Sequence, residues 1–223
     1  MSKLIWDDTG KRFYETGVKN CALYLRGADG AYSGGVAWNG VTAITENPSG
    51  AEPTALYADD IKYLNLMSAE ELGVTLEAYT YPDEFAECDG SASIAEGVFI
   101  GQQARKTFGL CYRTTIGNDV DGNNKGYKLH FIYGCLASPS EKGYSSINDS
   151  PEATTFSWEI STTPVAVADK ITTASVTISS LKADPTKLAA LEKILYGDDT
   201  EGSTPRMPLP NELISLMGTG EDA

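Results

Sequence analysis

The heptapeptide Tyr127-Lys128-Leu129-His130-Phe131-Ile132-Tyr133 constrains the fold more than any other stretch. Tyr127, Leu129, Phe131 and Tyr133 recur at every second position, with Lys128 and His130 between them, and a period of two fits a strand and not a helix. It reads as a half-buried antiparallel strand. Phe156, Trp158 and Ile160 alternate with Thr155, Ser157, Glu159 and Ser161 in the same way, and Val74-Thr75-Leu76-Glu77-Ala78-Tyr79 repeats the pattern. Further strand candidates run over 36–44, 107–115 and 171–178, between clusters of Gly, Asn, Asp, Ser and Pro. The chain is therefore expected to be mainly β.

Helix signals are few. Asp184-Pro185 supplies an N-cap and an N1 proline, Leu188, Leu191, Ile194 and Leu195 make an apolar stripe, and Gly197 stops it. Ser68-Ala69-Glu70-Glu71 has the form of a capping box, and Pro82 to Ala86 suggests one more turn. Two segments do not fit a compact β domain. Asn47 to Asp60 is polar, contains prolines and is too long for a usual hairpin connection, which makes it a long inter-strand loop. After Asp198 the chain is linker-like to Pro208 and ends in an apolar cluster, Leu209, Leu213, Ile214, Leu216 and Met217, too short to fold alone. The expected division is a body of residues 1–198 and an extension of residues 199–223 that docks on its own body or on a neighbour.

Charge narrows the function classes. With 17 basic and 31 acidic residues the net charge is −14, which disfavours unaided binding to a phosphate backbone. Eleven acids against the single base Lys62 lie between Glu46 and Asp89, a solvated acidic surface or a wall that DNA passes without sticking. The N-terminus has no apolar stretch of signal-peptide length, so the chain is expected to stay in a cytosol. There Cys21, Cys88, Cys111 and Cys135 read as packed or semi-exposed free thiols, and Asn148-Asp149-Ser150 as a glycosylation acceptor in form alone.

Chemistry finds little purchase. His130 is the sole histidine, expected to be exposed on its strand, and no G-x-S-x-G or phosphate-binding glycine motif occurs. Asn118 to Asn124 spaces oxygen ligands like the front of a calcium loop but lacks the closing glutamate, so it reads as a turn between strands. No catalytic residue, cofactor or metal site is expected. A carboxylate hydrolase would need two acids about 5 to 9 Å apart in a pocket. A soluble glycan- or cell-surface-binding β-module, suggested by 12 tyrosines and 3 tryptophans, is the other alternative.

A resemblance covers roughly residues 3–196. Lys3-Leu4-Ile5-Trp6-Asp7, Tyr14 to Val18, Gly35 to Thr42, Leu56 to Leu64, Glu77 to Phe85, Ala137 to Ser140 and Thr155 to Glu159, in that order, resemble the major tail protein family of siphophages and prophages of Gram-positive bacteria. The resemblance implies a tail-tube β-sandwich or small barrel with one flanking α-helix. It implies hexameric rings that stack into a hollow tube, a virion location after assembly in the host cytoplasm, and phage DNA in transit without sequence-specific binding. Its partners would be further copies of the chain, a tape-measure protein, a tail terminator and tail-tip or baseplate proteins. Stacking contacts are expected from Pro48, Gly50, Pro53, Tyr57 and Asp60, with Tyr57 the buried anchor, and docking contacts from Leu209, Leu213, Ile214 and Leu216.

Overall fold

A computed structural model describes residues 3–147, 149–150, 152–199 and 203–218. Asn148 of the acceptor triplet and residues 200–202 and 219–223 of the C-terminal extension lie outside the described residues. The alternation of the heptapeptide is realised in β10 (Gly122–Ala137), on which the whole sheet is organised. On one side β10 pairs with β9 (Phe108–Asn118), followed by β1 (Phe13–Arg26), β2 (Tyr32–Ala37) and the two-residue β13 (Arg206–Met207). On its other side β10 changes partners along its length. Residues 128–132 pair with β12 (Ser175–Ser179), and residues 135–137 with β11 (Phe156–Thr162). From β11 the sheet continues to β6 (Glu70–Ala78) and β3 (Val41–Gly50), every pairing antiparallel.

Gly134 marks the change of partner. Its φ is +60°, and a Cβ there would lie 2.2 Å from the Thr163 carbonyl oxygen, so a side chain is excluded on both counts. The sheet consequently folds over into two leaves, an open layered arrangement with no closed barrel among the described residues. Between the leaves lies an aromatic core: Trp38, Phe85 and Trp158 meet at centroid distances of 4.5 to 5.6 Å, flanked by Phe108, Leu110, Leu76 and Ile160. Phe85 is delivered by a 3₁₀ turn, Asp83–Glu87, at the position the sequence suggested.

The second core covers the opposite face of the β1–β9–β10 leaf. Leu129, Phe131 and Tyr133 of β10 meet Leu188, Leu191 and Leu195 of helix α1 (Pro185–Tyr196). Asp184 caps α1, its Oδ1 accepting from the backbone N–H groups of Thr186 and Lys187 at 2.9 and 3.0 Å. The C-terminal cluster forms a second, short helix, α2 (Pro210–Met217), docked on the same core through Leu213. A helix of 8 residues is not stable alone, and here burial on the body supplies what its length cannot. The mainly β fold with a flanking helix is as expected.

Three local expectations fail. The capping-box segment opens no helix: Glu70 and Glu71 begin β6, paired with Gly50 and Ser49, because the alternation of Leu72, Val74 and Leu76 that follows favours a strand. Over residues 129–135 β10 is covered on both faces, since Ile132 and Cys135 enter the inter-leaf core. His130 is not exposed: its side chain retains 13% accessibility and stacks on Tyr112 at 4.7 Å and 5°. The four cysteines are free, as read, and all are buried, which pushes the Cys88 and Cys111 thiols up to about 12.

Candidate assembly surface

The segment read as a long polar loop is regular. β3 runs through Pro48 to Gly50 still paired with β6, and the chain then turns out into a hairpin of its own, β4 (Pro53–Ala58) and β5 (Ile61–Met67). The physical reason is the turn chemistry. Asp59 and Asp60 both adopt left-handed backbone, φ 51° and 62°, as a two-residue hairpin connection requires and as aspartate tolerates. Gly50 at the root has φ +77°, and a Cβ there would lie 2.4 Å from the Ala69 carbonyl oxygen. Its place in the sequence thus has a reason within the fold. Pro48 sits opposite Leu72 on β3, an edge strand, where the missing N–H costs no ladder bond.

The hairpin forms a separate two-stranded sheet. Tyr57, Ile61, Tyr63 and Met67 are each 65 to 71% exposed, and Leu56, Leu64 and Leu66 are 39 to 56% exposed. Leu56 lies across from Leu64, and Tyr57 across from Lys62. Of the residues singled out from sequence, Pro53 and Tyr57 are on β4 and Asp60 is at the tip. The apolar residues of β5 were missed, although Ile61 to Met67 reads as a β run directly after Asp-Asp.

Smaller apolar exposures lie elsewhere. A second hairpin, β7 (Ala92–Ala95) and β8 (Val98–Ile100), exposes Ile94, Val98 and Phe99, and the N-terminal segment exposes Leu4, Ile5 and Trp6. The C-terminal residues behave differently. Leu213 is 4% exposed and Leu216 half-buried in the second core, whereas Leu209 and Ile214 are 38 and 54% exposed. The segment is pinned to its own chain: Tyr133 Oη donates to the Pro208 carbonyl at 2.8 Å, the Gly35 N–H to that of Pro205 at 2.9 Å, and Arg206 forms a two-pronged ion pair with Glu212 that holds the carboxyl below its usual range.

Two polar groupings with the form of a site are engaged in holding the fold. Asn118 Oδ1 accepts from the N–H groups of Val120 and Asp121, and Asp119 from that of Gly10, so the calcium-like stretch is a capped turn between β9 and β10. A groove of about 610 Å³ has two carboxylates, Asp29 and Glu212, which are occupied by the Ala31 N–H and by Arg206. Among the described residues no three His, Cys, Asp or Glu side chains are grouped as metal ligands.

The fold and its surface thus define an open, layered β protein with two short α-helices among the described residues and a projecting apolar hairpin arm. Compared with models of protein families and with curated proteins, the sequence gives no match. A chain from the cryo-EM structure of the anti-feeding prophage (AFP) baseplate, 6-fold symmetrised, aligns with 78% of this chain and 97% of its own length at 8% identity and a TM-score of 0.37. A likeness of that size carries no argument about fold or function.

Proposed function

We propose that the chain is a structural virion protein, the major tail tube subunit of a siphophage or prophage, whose copies close into hexameric rings that stack into a hollow tube. The observation that carries this reading is the β4–β5 arm. A two-stranded hairpin is marginal alone in water, and four side chains about two-thirds exposed make it worse. Such an arm is economical only when a partner covers it. β3, which leads into the arm, is also a sheet edge, and free edges are a liability unless another chain takes them up. A further copy of the chain fits both needs, because a head-to-tail contact that does not close generates a filament.

On this reading residues 1–198 form the tube body and 199–223 an extension. Pro53, Tyr57 and Asp60 belong to the stacking arm and Pro48 and Gly50 to its root on β3, while Leu209 and Ile214 remain free for contact beside the docked Leu213 and Leu216. The tape measure, the terminator and the tail-tip proteins are the expected neighbours in the virion, and DNA passes the acidic surface without being held. The test joins Gly50 to Glu70 through an Asn-Gly turn, removing the arm while leaving the β3–β6 register intact. Negative-stain microscopy across a concentration series should reveal rings or tubes for the full chain and no stacks for the variant. Stacked tubes from the armless chain would refute the role given to the arm, and a full chain that stays monomeric at every concentration would count against self-assembly.

A further inference from the structure

Two apolar exposures lie outside the β4–β5 arm, and they are matched in charge. In the N-terminal segment Leu4, Ile5 and Trp6 are consecutive and 70 to 74% exposed, with the exposed Lys3 beside them. The base of this segment is tied down. The Gly10 N–H donates to Asp119 Oδ1 at 3.0 Å, the Lys11 N–H to the Asp8 carbonyl at 3.0 Å, and the Arg12 guanidinium to the Asp7 carbonyl at 2.8 Å. These bonds hold residues 7–12 by the turn between β9 and β10, and residues 3–6 extend past them. The second exposure is at the β7–β8 hairpin, where a groove of about 350 Å³ runs beside the 3₁₀ turn Asp83–Glu87. It is lined by the apolar Leu25, Ala86 and Phe99 and by the acidic Asp83, Glu84 and Glu87. Glu87 is paired with Lys106, whereas Asp83 and Glu84 take part in no ion pair among the described residues.

We propose that residues 3–6 of one copy dock in this groove of a second copy. Three apolar side chains next to a cation meet three apolar side chains next to two unpaired acids, so the groove offers burial together with the opposite charge. Its own segment cannot fill it. Leu25 lies across from Phe108 and Phe13 across from Asn118, so the groove and the segment belong to opposite ends of β1, about 33 Å apart at roughly 3.3 Å per residue along β9. From Gly10, fixed at Asp119, the six residues back to Leu4 span at most about 22 Å. The contact is therefore made between copies and is head-to-tail, the kind from which rings and filaments are built. It rests on the reading of the chain as a self-assembling subunit, but it uses neither the arm nor the β3 edge.

A photoreactive benzophenone amino acid in place of Phe99, itself half exposed, tests the contact while leaving the segment intact. The probe-bearing chain is mixed with isotope-labelled wild-type chain, irradiated and digested, and mass spectrometry should join position 99 to labelled peptides containing residues 3–6. Leu4→Ser combined with Trp6→Ser in the labelled chain should lower the yield by more than about tenfold. Lys3→Glu in the labelled chain should lower it by up to about fivefold, and Glu84→Lys in the probe-bearing chain should restore it. Cross-links confined to the probe's own chain, cross-links falling outside residues 3–6, or a yield indifferent to the two serines would overturn the docking. The chain lacking the arm separates this contact from the tube reading, because its cross-links to residues 3–6 should persist. Tubes that form without these cross-links would overturn the docking alone. Cross-links in a full chain that forms no rings or tubes would uphold the docking and count against the tube.

Discussion

Tyr57→Thr is the sharpest probe of the arm. Threonine, like tyrosine, favours a strand, so the hairpin loses a ring and not its backbone propensity. Tyr57 is 71% exposed and outside both cores, and a substitution at such a position should change subunit stability by no more than about 0.5 kcal/mol. Assembly is another matter. Full burial of a large apolar side chain is worth about 1.5 to 3 kcal/mol, so covering the exposed part of Tyr57 contributes roughly 1 to 2 kcal/mol per contact. Loss of that term raises the critical concentration for stacking by roughly 5- to 30-fold. Pelleting or light scattering over a dilution series measures it directly, alongside a urea melt of the dilute subunit. A critical concentration within about twofold of wild type, with the melt unchanged, would refute the anchoring role of Tyr57.

Three further outcomes follow from the body. Leu191→Ala, at a position with no exposure between α1 and the central leaf, should cost about 2 to 5 kcal/mol in the urea transition. Asp184→Ala removes the acceptor for two backbone N–H groups and should cost about 1 kcal/mol by the same assay, without altering the sheet. A thiol reagent at about pH 8 should find no reactive cysteine in the native subunit and all four in denaturant, because burial both shields the thiols and raises their pKa.

Much of the body could be read in advance, and the reason is local. Alternation in Tyr127–Tyr133, Phe156–Ile160 and Val74–Ala78 selects a strand and assigns each side chain to a face, and Asp184-Pro185 with a leucine stripe selects a helix, whatever lies opposite. The arm was harder. Asn47 to Asp60 has the composition of a loop, and its strand character comes from cross-strand partners, Leu72 for Pro48 and Leu64 for Leu56, far enough along the chain to be invisible to a local pattern. The same holds for Ser68 to Glu71, where a helix-opening motif gives way to a ladder.

What the sequence by itself determined, then, is the mainly β character, the two-faced strands, α1 with its cap, and the absence of known catalytic motifs. Only the tertiary structure decided that the sheet folds over at Gly134, that the C-terminal cluster docks on its own chain, that His130 is enclosed beside Glu46, and that seven apolar side chains stand out on a hairpin. The physical reason is that periodicity specifies which way a side chain points, whereas burial depends on what the rest of the chain brings to that side.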